Sequence, residues 1–314
     1  MSGVQPCNTV QGIEKLVSEL KMPKTDLQGL DKGELSTVTL SWEKMKDKNW
    51  FQDTDIFRCT AQQSEVDFLV HSVIHHSSRP TLENVISILL INQEPLVSMM
   101  FKRKDDWPFP EYLGSCGRLA IFEYIGPSIA AHYSSSWPLR AYFAVQLLQL
   151  AKRFSKPDKT GLVIYPTDWT AHNFAVDEEN RVYLVDLEGI ILVNQSIIRE
   201  KKAPGWDTYY TADRFGCTNC FSFSTADLCT HAESDHNYHG VCGGLLAPQP
   251  YSPGLAGGLL HSVPRNILAR HPLLPRLLDE CWKSSKPGGR EEAADLIIEI
   301  LRSELVDLDL QNLT

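Results

Sequence analysis

Short apolar runs broken by polar turns, with a few longer stretches of helical period, set the pattern of this chain. Leu139, Phe143, Leu147, Leu150 and Phe154 recur every three or four positions within Trp137 to Phe154, which predicts an amphipathic helix over that span. Phe174 to Val176 and Val182 to Val185 are apolar runs on either side of Asp177-Glu178-Glu179-Asn180, the pattern of a β-hairpin with a polar turn. A second strand, turn and strand is predicted where Glu111 to Arg118 leads into Leu119 to Gly126. Near the N-terminus, Val66, Leu69, Val70, Val73 and then Leu82, Val85, Ile86, Leu89 give short helical patterns joined by polar connectors. Toward the C-terminus, Leu277-Leu278-Asp279-Glu280-Cys281, Pro287 and Arg290 precede a helix predicted from Glu291 to Leu305, and the Pro/Gly-rich stretch from Gly243 to Gly258 reads as an exposed excursion. No internal repeat is present.

The chemistry enters at Asp168-Trp169-Thr170-Ala171-His172-Asn173, with Asp186 thirteen residues beyond Asn173. A kinase catalytic loop uses an Asp to orient the acceptor hydroxyl and take its proton, and an Asn five residues on to help hold Mg²⁺. A later Asp bridges Mg²⁺ to the nucleotide phosphates. Asp168, Asn173 and Asp186 stand at those intervals, and the predicted hairpin would return the chain from Asn173 toward Asp186. A surface hairpin flanked by solvated carboxylates has the same bare pattern; the order of the surrounding elements favours the kinase reading. Leu119 to Gly126 corresponds to the strand and hinge of an adenine pocket, with Glu123, Tyr124 and Ile125 as hinge residues, and the helix from Trp137 follows it as a kinase would require. Asp235, ahead of Gly240, has the spacing of the kinase helix aspartate that hydrogen-bonds the catalytic-loop backbone; a simple helix cap is the plainer alternative.

The departures are equally specific. Pro166 and Thr167 replace the usual His-Arg before the catalytic Asp, which removes the arginine that clamps a phosphorylated loop. Thr170 replaces the loop lysine, and Leu187-Glu188 replace Phe-Gly after Asp186, adding a third carboxylate. No G-x-G-x-x-G occurs in the chain, so the amides that would cradle ATP phosphates have no evident source. Lys102, Arg103 and Lys104 read as a solvated charge cluster, not as a nucleotide-binding strand lysine.

Several stretches together resemble the divergent secretory-pathway protein-kinase-like family, in the branch of the deleted-in-autism protein, also called hypoxia- and Akt-induced stem cell factor. They are Glu94-Pro95-Leu96-Val97, Asp106-Trp107-Pro108-Phe109, Tyr112 to Arg118, Asn173-Phe174-Ala175-Val176, Cys220-Phe221-Ser222-Phe223-Ser224, Asp235-His236-Asn237-Tyr238, Gly258-Leu259-Leu260-His261 and Leu277 to Cys281. The resemblance implies an α+β, protein-kinase-like fold with a mostly helical C-lobe and an incomplete or remodelled N-lobe. It divides the chain into an N-lobe remnant or helical subdomain over 1–92 and a hinge and C-lobe over 93–314, with a cysteine-rich insert at 217–242. It implies residence in the Golgi or secretion, with a signalling role. Members of the family carry a signal or anchor segment, early cysteines and a strand lysine ahead of the matching region. Met1 to Pro6 has neither a basic start nor an apolar stretch of signal-peptide length, so the chain is expected to begin after that lysine.

Cys217, Cys220, Cys229 and Cys242, with His231, His236 and His239 among them, allow either two disulfides or a zinc site on spacing alone. The resemblance favours disulfides over zinc, because thiols pair in the secretory lumen; spacing does not give the pairing. Cys7, Cys59, Cys116 and Cys281 are scattered and read as buried thiols. Asn194-Gln195-Ser196 and Asn312-Leu313-Thr314 match the glycosylation acceptor pattern and permit a lumenal location.

At 314 residues and 43% hydrophobic, the chain can bury a large core. No apolar run is long enough to span a bilayer, since Val85 to Met100 is interrupted by Asn92, Gln93 and Glu94. A net charge of −9 argues against a nucleic-acid surface, which needs concentrated Lys and Arg. Two functions are expected from these features. One is a pseudokinase or weakly active kinase that signals through a protein receptor or partner. The other is an active kinase using Mg²⁺ and ATP, with Asp168 as base, to phosphorylate hydroxyl side chains of lumenal proteins.

Overall fold

The computed structural model describes residues 92–116, 119–212, 221–247 and 257–306, with isolated positions between 56 and 73. Contacts divide the chain into two units: one runs to Tyr124 and includes Asp186–Glu188, and the other holds Ile125–Val185 and Gly189 onward. The expected subdomain over 1–92 lies almost wholly outside the described residues, as do Leu82 to Leu89, Cys7, Cys217, Cys220, Pro248 to Pro253 and Asn312 to Thr314.

In the first unit, helix α1 (Glu94–Met100) begins with Pro95 in its first turn, where a missing N–H costs no hydrogen bond, and buries Pro95 through Met100. Phe101 follows and packs against Trp107 at 4.9 Å and Phe109 at 6.4 Å, a T-shaped aromatic cluster. Strands β1 (Tyr112–Cys116) and β2 (Leu119–Phe122) pair antiparallel, with a bulge between Tyr112 and Gly114, as the sequence predicted. The basic cluster beside α1 departs from its sequence reading. Arg103 forms a half-buried ion pair with Glu123. The Lys102 ammonium is held below its usual pKa, first by partial burial and then by Lys104, with Asp105 opposing.

The second unit is built on α2 (Trp137–Phe154), at the predicted bounds. The single apolar stripe of the sequence reading is too narrow. Leu139, Phe143, Leu147 and Phe154 are buried, Leu150 is only half-buried, and Ala141, Ala144, Val145, Leu148 and Ala151 are buried as well, so this is a core helix enclosed on most of its faces. Buried Arg140 bridges it to the chain beyond, donating to the carbonyls of Ser135, Leu259 and His261. Strand β3 (Leu162–Pro166), buried throughout, precedes the hairpin β4 (Phe174–Val176) and β5 (Val182–Leu184), and β3 pairs antiparallel with β6 (Ile190–Asn194). In the hairpin turn Asn180 takes φ 60°, a left-handed conformation that asparagine tolerates better than most residues. Gln146 of α2 secures the turn, donating to the Asn180 carbonyl and accepting from Val182 N–H.

Beyond β6 come α3 (Gln195–Lys201), β7 (Tyr209–Tyr210), α4 (Thr225–Leu228) and β8 (Glu233–Ser234), with β7 and β8 parallel. Helix α5 (His236–Gly240) runs into a π-helical turn, Val241–Leu246, and every residue of both is buried. This corrects the reading of Gly243 to Gly258 as one excursion: Gly243 and Gly244 are core residues. Gly258 N–H donates to the Ala247 carbonyl at 2.6 Å. Helices α6 (Arg265–Arg270), α7 (Leu274–Trp282) and α8 (Gly289–Leu305) complete the unit. No helix among the described residues is long and apolar enough to cross a membrane.

Cysteine chemistry differs from the sequence reading in its partners. Cys242 is joined to Cys281 of α7 across 39 positions, and Cys59 and Cys229 are also disulfide-bonded. Cys281 and Cys59 are therefore not buried thiols. Clustering in sequence pointed to pairing within 217–242, but packing of α7 on the π-helical turn brings a distant sulfur to Cys242. Closing a loop of that length restricts the unfolded chain by about 4 kcal/mol in the chain-entropy account.

Candidate active site

The loop from Thr167 to Asn173 is fixed on several sides within the second unit. On one, the Thr167 N–H donates to Gly189 O at 2.7 Å, extending the β3–β6 ladder. On another, the Ser128 hydroxyl donates to the Ala171 carbonyl at 2.8 Å, and Val176 N–H to Pro127 O at 3.0 Å. From below, the α5 side chains reach the strand: Asn237 donates to Ile164 O, and His236 Nε2 donates to Pro166 O at 2.7 Å.

Trp169 anchors the loop in the core. It is 2% exposed, stacked on Phe174 at 5.4 Å and tilted against Phe154 at 6.3 Å. Gly240 and Gly244 form the wall behind it. A Cβ at Gly240 would stand 2.1 Å from the indole Cδ1, and one at Gly244 2.1 Å from the Trp169 carbonyl oxygen, so neither position admits a side chain. With Trp169 turned inward, its neighbour Asp168 faces solvent. Asn173 closes the loop: its Nδ2 lies 3.4 Å from the Asp168 carbonyl, its N–H donates to Thr170 O, and its own carbonyl accepts Val185 N–H at 2.8 Å. Asn173 Oδ1 has no protein partner among the described residues. Asp168 and Asn173 are thus brought together on one loop, as their spacing predicted.

Asp186 belongs to the first unit, in a segment bound to the start of α1. Leu187 N–H donates to Glu94 Oε1 at 3.0 Å, and the Glu188 carbonyl accepts from the Gln93 side-chain amide. Gln93 is held in turn by Ile56 N–H, and Glu94 Oε2 accepts from Asn92 Nδ2 at 3.0 Å. Both oxygens of Glu94 therefore have partners, and neither partner is a lysine. In protein kinases a helix glutamate forms an ion pair with the strand lysine that touches ATP. The sequence reading took Asn92-Gln93-Glu94 as an interruption of an apolar run and Glu94 as the start of a family-like stretch; it did not foresee that Gln93 and Glu94 bind the Leu187-Glu188 backbone. An acidic residue directly before a helical proline was the available signal.

The hinge residues lie where the units divide. Glu123 is committed within the first unit, its N–H donating to Glu111 O at 2.8 Å and its carboxylate pairing with Arg103. Tyr124 is 83% exposed, and the Ile125 N–H has no protein partner among the described residues. Asp235 does not bond the catalytic-loop backbone, nor does its side chain cap α5. Its carboxylate accepts from Ala212 N–H at 2.7 Å and pairs with Arg290 of α8, with side chains 1% and 5% exposed. The next residue, His236, donates instead to the carbonyl of Pro166, the last residue of β3 ahead of the loop. Burial lowers the His236 pKa to about 4, with the Pro166 carbonyl bond opposing.

A sequence model of the protein-kinase domain of FAM69 matches residues 86–284. The chain belongs to this family. Among curated proteins, it is 37% identical over 216 residues to divergent protein kinase domain 2A of Homo sapiens, covering 68% of this chain and 50% of that protein. The Mus musculus protein of the same name is 36% identical over 209 residues, covering 66% and 48%. Divergent protein kinase domain 2B of Mus musculus is 26% identical over 107 residues, covering 34% and 24%. The chain thus spans about half the length of the 2A relatives it matches. Membership in the FAM69 kinase-domain family agrees with a kinase-like fold of helices and small sheets.

Within the second unit, the Asp168 carboxylate and the uncommitted Asn173 Oδ1 are oxygen donors of the kind that suits a hard divalent cation such as Mg²⁺.

Proposed function

We propose that this FAM69-family chain is a pseudokinase of the secretory pathway, Golgi-resident or secreted, with a signalling role. On this reading the first unit is a remodelled N-lobe, the second is a helical C-lobe, and Asp168, Asn173 and Asp186 retain Mg²⁺–ATP binding. The observation that carries the proposal is the pairing of Glu94 with Leu187 N–H and Asn92 in place of a lysine. Thr170 at the loop-lysine position favours the same reading. When bound, Mg²⁺ would neutralise charge on the nucleotide phosphates. Asn173 Oδ1 and the Asp186 carboxylate would hold it, Asp168 would face an incoming group, and Ile125 N–H would meet the adenine edge. The disulfides of Cys59, Cys229, Cys242 and Cys281 support an oxidising compartment, where the partner would be a receptor or another lumenal protein.

An active kinase is the second reading, favoured by the exposure of Asp168 and by the Asn173 side chain that closes its loop. Thermal unfolding with and without Mg²⁺–ATP tests nucleotide binding. Ligand at about a hundred times its Kd should stabilise by about 2.7 kcal/mol, a rise of several degrees, and Asp186→Ala should abolish it. No rise in the wild type would sink the site. Transfer of labelled phosphate to lumenal proteins, lost in Asp168→Ala, would replace the pseudokinase reading with the active one. Free thiols at Cys229 and Cys242 in the protein purified from its native compartment would contradict the lumenal assignment.

A further inference from the structure

We infer that the Cys242–Cys281 disulfide sets the register of the Asp168 loop, acting through a glycine clasp on Trp169, so that the site is ordered only when the chain is oxidised. The inference deepens the reading of Asp168 as the catalytic-loop aspartate and rests on it.

Cys242 lies midway between Gly240 and Gly244, the residues whose missing side chains admit the indole ring and carbonyl of Trp169. The three occupy the end of α5 and the π-helical turn that follows it; such turns recur at functional sites because they widen the helix locally. Two bonds tie this element to the C-terminal helices: the Asp235–Arg290 ion pair at its start, and the disulfide to α7 at the clasp itself.

A second observation makes the clasp decisive. The Trp169 indole Nε1 is buried with no hydrogen-bond acceptor among the described residues, so none of them holds the ring directionally. Trp169 stays inward by shape alone, against Phe154, Phe174 and the two glycines. A buried N–H without a partner is unfavourable, and water relieves it as soon as a path opens. Backbone drift of the π-helical turn away from α7 would open one. Trp169 is then a positioning residue for Asp168, and the disulfide sets how far the turn can move. Reduction by a dithiol would pass two electrons and two protons to the sulfur pair, leaving Cys242 and Cys281 as thiols and the reductant as a disulfide.

Hydrogen exchange of the full chain, measured without nucleotide, tests the inference separately from ATP binding. In the Cys242→Ala/Cys281→Ala variant, amides of 167–173 should exchange at least tenfold faster, while those of the β4–β5 hairpin and α8 keep their wild-type rates. Gly244→Ala, with the disulfide intact, should give the same local acceleration, so the idea remains testable if the double variant fails to fold. In fluorotryptophan-labelled protein, the Trp169 resonance, assigned by its loss in Trp169→Phe, should move toward that of solvated indole in both variants. Unchanged exchange at 167–173, or a uniform rise across the chain, would overturn the inference. If wild type shows no Mg²⁺–ATP shift yet the local exchange changes as stated, the nucleotide reading fails and the clasp stands.

Discussion

Arg290→Ala is expected to cost about 3–5 kcal/mol of stability, the usual penalty for leaving one member of a buried ion pair without its partner. Asp235 would lose its counter-charge at a position 0% exposed, and the Ala212 carbonyl would lose the Arg290 bond of 3.1 Å. Against a total stability of about 5–15 kcal/mol, this is a large fraction. Chemical denaturation should show a lower midpoint with an unchanged slope. Arg290→Lys keeps the charge, loses the second bond and should cost less. A double change, Asp235→Leu with Arg290→Met, removes both charges and should recover much of the loss. A loss below 1 kcal/mol in Arg290→Ala would mean that solvent reaches the pair.

Acid should weaken the fold through His236. Its pKa is about 4 when folded and 6.5 in the open chain, because protonation would place a charge in a buried ring whose Nδ1 has no partner among the described residues. As pH falls through 6.5 the unfolded chain takes up a proton that the folded chain refuses. Stability therefore declines down to about pH 4, where the folded ring also protonates; above pH 6.5 the contribution is complete. A difference of about 2.5 units corresponds to about 3 kcal/mol. The Tyr165, Phe221 and Phe223 rings around His236 supply no counter-charge. His236→Gln, which retains a donor for Pro166 O, should flatten the stability profile between pH 4 and 6.5 relative to wild type. The same slope in both proteins would assign the acid response to other groups.

These two residues mark the boundary between what the chain declares and what packing decides. The sequence by itself determined the local elements: the α2 bounds, both hairpins, and the shared loop of Asp168 and Asn173. Each follows from a period or a spacing within some twenty residues, over which backbone geometry alone relates side chains. It also carried enough composite pattern to resemble a kinase-like family, which the match over residues 86–284 bore out. Tertiary structure alone decided the partners. Asp235 binds Arg290 across 55 positions, Cys242 takes Cys281 from outside its own cluster, and His236 reaches Pro166 across 70. It also made core residues of Gly243 and Gly244, and turned Glu94 onto the Leu187 backbone. Long-range pairing depends on which helix faces pack together, and no local period encodes that. Nothing around Gly240 in the sequence tells of the indole that fills the space beside it.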